Sequence, residues 1–148
     1  MFSSVSDVVI NRPRDVVFDY ISHLDNDPVW CPEVKRVRPL NSDPPGVGKT
    51  YEMMARPIPQ DQEGGYEITK FDPPSSMELK LWQGTSEGIT TYQLEEVDGG
   101  TRLVYETNVE LSGIAKPFEP VVGWLTTRSR GPRMLTNLKN LLESHPPD

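Results

Sequence analysis

Cysteine is almost missing from this chain: Cys31 is the sole one among 148 residues. A lone thiol excludes an internal disulfide framework and any zinc site built from cysteines. Histidine is nearly as scarce. His23 and His145 are the only two, too few for a His-rich metal site, and no metal or other cofactor is expected. No stretch approaches the roughly 18 apolar residues that a membrane span requires. Positive charge is in short supply, with 15 Lys+Arg against 22 Asp+Glu and a formal net charge of -7. Nucleic acid and anionic membranes both demand a positive footprint, so neither is an expected partner. The opening residues, Met-Phe-Ser-Ser-Val-Ser-Asp, hold neither a basic region nor an apolar run. No signal peptide is expected there, and a cytoplasmic, reducing compartment is.

The length fits one domain over 1–148, with about 145–148 as a disordered tail. The 15 prolines punctuate rather than cluster, as pairs at Pro44-Pro45, Pro73-Pro74 and Pro146-Pro147. Val5–Ile10 reads as a strand. Pro13 suits the first turn of a helix, and Val17, Ile21 and Leu24 form its apolar stripe. Asp27-Pro28 opens a second, very short helix with Val29, Trp30 and Cys31, which Pro32 ends.

From Val34 the apolar period becomes two. Six strands are predicted, at about 34–40, 49–57, 65–72, 76–83, 87–97 and 101–111. The turns expected between them are Asp43-Pro44-Pro45-Gly46, Glu63-Gly64-Gly65, Asp72-Pro73-Pro74-Ser75, Gln83-Gly84 and Asp98-Gly99-Gly100. The last is a strong hairpin signal, because both glycines tolerate positive φ. Such short connections make neighbouring strands antiparallel. Met134, Leu138 and Leu141, flanked by Leu135 and Leu142, then give a helix. Pro117 to Arg130 is less regular, and Gly131-Pro132 should kink or break the helix there. The class is α+β, with one mainly antiparallel sheet and one principal helix.

Alternation assigns the strand faces. One face carries Tyr51, Met53 and Ala55; Tyr66 and Ile68; Met77, Leu79 and Leu81; Thr90, Tyr92 and Leu94; and Leu103, Tyr105, Thr107 and Val109. Four tyrosines on an inner face are costly to bury dry, since an unpartnered hydroxyl loses on the order of 1–3 kcal/mol. They suit a hollow between sheet and helix, with Phe118, Val121, Val122, Trp124 and Leu125 on the covering side. Rings at the rim, hydroxyls in solvent, would be the plainer explanation for any one of them.

Other motifs carry less. Gly46-Val47-Gly48-Lys49-Thr50 imitates the end of a phosphate-binding loop, but Asp43 stands where the motif needs glycine and a strand follows. His23 reads as a solvated helix-end residue, and Cys31 as a buried, inert thiol. Glu52, Glu67, Glu78 and Glu106 fall on the outer faces. Arg128, Arg130 and Arg133 form a basic cluster, either exposed helix charges or, at Arg128, an anion-attracting pocket mouth.

Several pieces together resemble the SRPBCC superfamily, the START-like or helix-grip fold shared with the birch pollen allergen group. They are Val9-Ile10-Asn11-Arg12-Pro13, Val17-Phe18-Asp19-Tyr20-Ile21, Trp30, and Gly46-Val47-Gly48 ahead of Tyr51. Phe71-Asp72-Pro73-Pro74, Gly99-Gly100-Thr101-Arg102-Leu103 and the Leu135–Glu143 helix complete the set. Within the superfamily the chain is most similar to the polyketide cyclase/dehydrase and lipid-transport family. The resemblance implies a seven-stranded curved antiparallel sheet around a long C-terminal helix, two short helices after the first strand, and an internal pocket. Gly131-Pro132 inside that helix departs from the pattern. The family has no universal catalytic signature to carry over.

The expected function is binding of a small hydrophobic or aromatic molecule, lipid- or polyketide-like, between sheet and helix. Trp30, Tyr51, Met53, Tyr66, Ile68, Leu79, Leu81, Tyr92, Tyr105, Thr107, Phe118, Val122 and Leu125 are the candidate lining. A cyclase or dehydratase using the tyrosines as acid/base groups is the alternative, and a groove for a protein partner is a third. The chain is expected to be a monomer or homodimer.

Overall fold

The computed structural model describes residues 2–55, 62–83, 86–125 and 131–144. Of residues 2, 55, 62, 63, 113–115, 122, 123 and 125 it describes the backbone only. The chain runs β1 (Phe2–Ile10), α1 (Arg14–Ser22), a 3-10 turn (Leu24–Asn26), α2 (Asp27–Trp30), then β2 (Val34–Pro39) and β3 (Thr50–Ala55). It continues with β4 (Gln62–Asp72), β5 (Ser76–Gln83), β6 (Ser86–Val97) and β7 (Gly100–Glu110). A second 3-10 turn (Gly113–Phe118) leads to α3 (Glu119–Leu125) and α4 (Gly131–Ser144).

The strands form a seven-stranded sheet in the order β1-β7-β6-β5-β4-β3-β2, every neighbouring pair antiparallel. β1 and β2 are consecutive along the chain yet occupy opposite edges. The segment carrying α1 and α2 crosses the concave face between them, α1 against β6 and β7, α2 against β2. α4 lies along β1. This is the helix-grip arrangement that the resemblance implied: a curved sheet with a C-terminal helix in its grasp.

The helices are fixed by ordinary forces. Leu135, Leu138 and Leu142 of α4 are buried, at i, i+3 and i+7. Each such side chain contributes roughly 1.5–3 kcal/mol. The far end of α4 is tied to the β1–α1 junction. Arg12 Nε donates to the Leu142 carbonyl at 2.7 Å, Lys139 Nζ donates to the Val9 carbonyl at 2.8 Å, and Glu143 accepts the Asn11 N–H at 2.7 Å. From α1, Val17, Phe18 and Ile21 pack down beside Ile10, Leu103 and Leu94.

Three expectations need correction. β1 starts at Phe2, not Val5, because Ser3–Ser4 pairs with Asn108 and Thr107 although it is not apolar. Gly64 and Gly65 are not a turn but belong to β4, opposite Gln83 and Trp82. A Cβ on Gly64 would stand 1.9 Å from the Trp82 carbonyl oxygen, so glycine there marks close approach. In the β6–β7 hairpin the positive φ values belong to Asp98 (43°) and Gly99 (83°), the pairing that a type I′ turn demands. Gly100 instead lies in β7, where a Cβ would meet the Ile10 carbonyl at 2.7 Å. α4 is described from Gly131 onward, and the residues before it, on which the expected kink or break at Gly131-Pro132 depends, lie outside the described residues. The expected turn residue Gly84 lies outside the described residues, as do Thr126 to Arg130 and His145.

Candidate ligand-binding site

The site begins with α2. Pro32 stops the helix after one turn, and Cys31 N–H closes it on the Asp27 carbonyl at 2.8 Å. Val34 N–H then reaches the Cys31 carbonyl at 3.0 Å and turns the chain into β2. This short turn sends Trp30 and Asp27 inward, to 1% and 3% exposure, and leaves Val29 outside. Asn137 of α4 donates to the Trp30 carbonyl at 3.3 Å, fixing the turn against the helix.

A cavity of about 190 Å³ lies where that turn, β7 and the start of α4 meet. Cys31, Pro32, Glu33 and Val34 form one wall, Tyr105 another, and Gly131, Arg133 and Met134 the third. A cavity of roughly 150 Å³ lined by apolar side chains admits benzene, and this one is of comparable size. A groove of about 440 Å³ also runs over the surface between α1 and the loops carrying Pro44, Pro45, Pro73 and Pro74. It is larger but lies open, whereas the smaller cavity adjoins the buried polar cluster.

That cluster is set by register. Across the concave face, Ser6 faces Tyr105, Tyr105 faces Tyr92, and Tyr92 faces Met77. In the neighbouring row Ser4 faces Thr107, Thr107 faces Thr90, and Thr90 faces Leu79. Thr90 and Thr107 share a hydrogen bond of 3.1 Å, and both bond to the Tyr105 phenol. The rings of Tyr92 and Tyr105 meet edge to face, centroids 5.2 Å apart. Tyr66 donates to the Asp27 carboxyl.

Burial decides the protonation of these groups. It pushes the Asp27 carboxyl well above the carboxylate range, against the lowering effect of the Tyr66 hydrogen bond and with a further push from Asp25. Burial, then Asp27, pushes the Cys31 thiol well up. Tyr66 and Tyr92 are raised by burial and by Asp27, Tyr105 by burial and Cys31. Burial first, then Asp25, pushes Tyr51 up to about 12, against a hydrogen bond from the Leu24 backbone. The phenols are therefore neutral donors near neutral pH, poorly suited to act as bases.

The candidate residues separate. Tyr105 stands in the cavity wall. Trp30, Tyr51, Met53, Tyr66, Ile68, Leu79 and Tyr92 are buried together in one cluster, with Leu81 packed against it and Thr107 buried beside Thr90. Phe118 is 41% exposed. The side chains of Val122 and Leu125, and the whole of Arg128, lie outside the described residues, while Arg133 of the same basic cluster lines the cavity. Lys49 is committed to structure: its ammonium donates to the Asn41 carbonyl at 3.1 Å and to the Asp43 carbonyl, and Thr50 opens β3. His23 closes α1, its Nδ1 donating to the Asp19 carbonyl at 2.7 Å.

Sequence reasoning missed Asp27, Ser4 and Ser6. Asp27 looked like a helix-opening residue, and only its place beside Trp30, one turn apart, hinted at an inward direction. Ser4 and Ser6 alternate correctly for an inner face but carry no apolar signal.

With the geometry in place, comparisons with known proteins are informative. The model of the family described as polyketide cyclase / dehydrase and lipid transport matches residues 1–143. Among curated proteins nothing matches in sequence. Of solved structures, TTHA0849 from Thermus thermophilus is similar at TM-score 0.79 with 16% identity, covering 97% of this chain and 99% of that one. Ara h 8.0201 is similar at TM-score 0.69 with 14% identity, over 97% and 98%. Major latex-like protein 151 of Panax ginseng is similar at TM-score 0.64 with 11% identity, over 97% and 95%. At these identities the likeness is one of fold.

Proposed function

The chain belongs to the polyketide cyclase / dehydrase and lipid transport family, and from that premise we propose that it binds a small hydrophobic, ring-bearing molecule in the cavity between sheet and α4. The observation that carries this reading is the cavity of about 190 Å³, its walls supplied by Val34, Met134, Cys31 and the ring of Tyr105. Apolar walls provide area, and neutral phenols next to them orient a polar substituent. The family supports a fold for hydrophobic ligands; lipid-like or polyketide-like chemistry is the finer part of the proposal. Titration of intrinsic tryptophan fluorescence with a panel of lipids and aromatic molecules tests it. A saturable response with a one- or two-ring compound is expected, and a flat response to the whole panel contradicts it.

One observation favours a second reading, a cyclase or dehydratase. Asp27 is a buried, proton-holding carboxyl that accepts from Tyr66, a suitable source for a general acid. This moves the acid/base role from the tyrosines to Asp27. Turnover of a poly-β-ketone mimic that disappears in Asp27→Asn supports this reading; wild-type turnover at the level of a heat-killed control removes it.

A further inference from the structure

The groove beside α1 is separate from the cavity and shares no lining residue with it. Its volume is about 440 Å³, within the roughly 300–1,000 Å³ that small-molecule sites occupy. The floor is aromatic: Phe18 of α1 and Phe71 of β4 meet edge to face, centroids 5.4 Å apart. Opposite α1 the chain presents one tripeptide twice. Asp43-Pro44-Pro45 lies between β2 and β3, Asp72-Pro73-Pro74 leads from β4 to β5, and all four prolines line the groove. Proline fixes its own φ, so this wall is organised before anything binds. The charge on the walls has one sign. Asp15 and Asp19 line the groove from α1, one turn apart and both exposed. Positions i and i+4 share a side of a helix, where like charges repel. Among the described residues Asp15 has no ion pair, and Asp19 has only His23, whose Nδ1 lies 4.0 Å from its carboxylate. No lysine or arginine lines the groove. Cations on the same segments are already engaged: Arg14 with Ser75 at 3.3 Å, Lys49 with the Asn41 and Asp43 carbonyls, and Lys70 with Glu78 at 3.5 Å.

We propose that this groove is a second binding site, for a small organic cation: an ammonium or guanidinium group on an apolar stem. The stem lies against Phe71 and the prolines, and the cation sits between the carboxylates of Asp15 and Asp19 and relieves their repulsion. An uncharged molecule would leave that repulsion in place, and an anion would add to it. The size of the groove selects a small molecule over a protein chain. From Asp15 to Ser22, its lining positions on α1, the helix advances only about 10 Å. A stable protein partner covers about 800 Å² on each side. The proposal is independent of the reading of the cavity.

Titration with phenethylammonium, phenethyl alcohol and 3-phenylpropanoate, followed through the backbone ¹⁵N–¹H resonances, tests this. The three molecules carry the same ring and differ in charge. Phenethylammonium should bind about fivefold more tightly than the alcohol, the order expected of two exposed ion pairs, and the propanoate more weakly than either. The shifts should centre on Asp19, Ser22, His23, Phe71 and Ser75 and leave Val34 and Tyr105 of the cavity unmoved. In about 0.5 M salt the preference for the ammonium should shrink to about twofold, because the carboxylates are exposed and screened. In the double variant Asp15→Asn, Asp19→Asn it should vanish. The charge comparison and the salt series are read on the unaltered protein, so the test survives a variant that fails to fold. Equal binding of ammonium and alcohol, tightest binding of the propanoate, shifts confined to the cavity residues, or no response to any of the three overturns the proposal. A preference that ignores salt, or that persists in the double variant, overturns it as well.

Discussion

The two halves of the concave face are built from the same strands and have opposite chemistry. Toward the β6–β7 hairpin, β1, β6 and β7 present Ile10, Leu94 and Leu103, sealed by Val17, Phe18 and Ile21 of α1. Toward the other end the same strands present Ser4 and Ser6, Thr90 and Tyr92, Tyr105 and Thr107. The first half is dry, and its residues are 0–4% exposed. The second half is buried too, yet it is lined by hydroxyls and borders the cavity. A dry core gains nothing from Ser, Thr and Tyr, since each hydroxyl must be satisfied. The switch from aliphatic to hydroxyl within a few residues of each strand separates the part that holds the fold from the part proposed to hold a ligand.

Substitutions can break or sharpen that contrast, and the largest effect belongs to the aliphatic half. Leu103→Ala should cost about 2–5 kcal/mol in urea unfolding, because the neighbours of a fully buried side chain relax only partly into the space it leaves. Thr107→Val should cost about 1–3 kcal/mol, since it removes the partner of Thr90 and one contact of the Tyr105 phenol. A Thr107→Val loss as large as that of Leu103→Ala would erase the contrast.

Next in size is a pH effect. The folded chain holds the Asp27 proton where the unfolded chain has released it. The stability this supplies is complete below the unfolded value, roughly 4, and drains away as pH rises toward the raised folded value. Thermal unfolding across pH should therefore show a downward slope above about 4 that Asp27→Asn flattens. The tyrosines repeat the pattern at alkaline pH. Tyr51, raised to about 12, loses its contribution as pH climbs from its unfolded value toward that point. The smallest effect is expected at Ser4→Ala. It removes a buried hydroxyl without a partner, so stability should stay level or rise by up to about 1 kcal/mol. A loss instead would mean that Ser4 holds the fold like its aliphatic neighbours.

Most of the fold was legible because alternation is a strong signal wherever one face is apolar. β5 spans Ser76–Gln83 as expected, and β2, β6 and β7 differ by a residue at one or both ends. Legibility failed where backbone geometry overrode composition. Gly64 and Gly65 resemble a turn, but they are glycine because the Trp82 ring and carbonyl lie against that strand. The polar half of the face was readable at Thr90, Tyr92, Tyr105 and Thr107, which interrupt aliphatic strands. It was not readable at Ser4 and Ser6, whose burial depends on pairing with residues about a hundred positions away. Asp27 was hidden for a similar reason: acid at a helix start is ordinary, and only the packed structure turns it inward.

The central claim is that the space between Cys31, Val34, Tyr105 and Met134 takes an apolar ring. A crystal of the protein soaked in 1-bromonaphthalene, with data collected at the bromine edge, tests it most directly. The account predicts an anomalous peak inside that cavity. Peaks confined to the surface, or none at all, would contradict it.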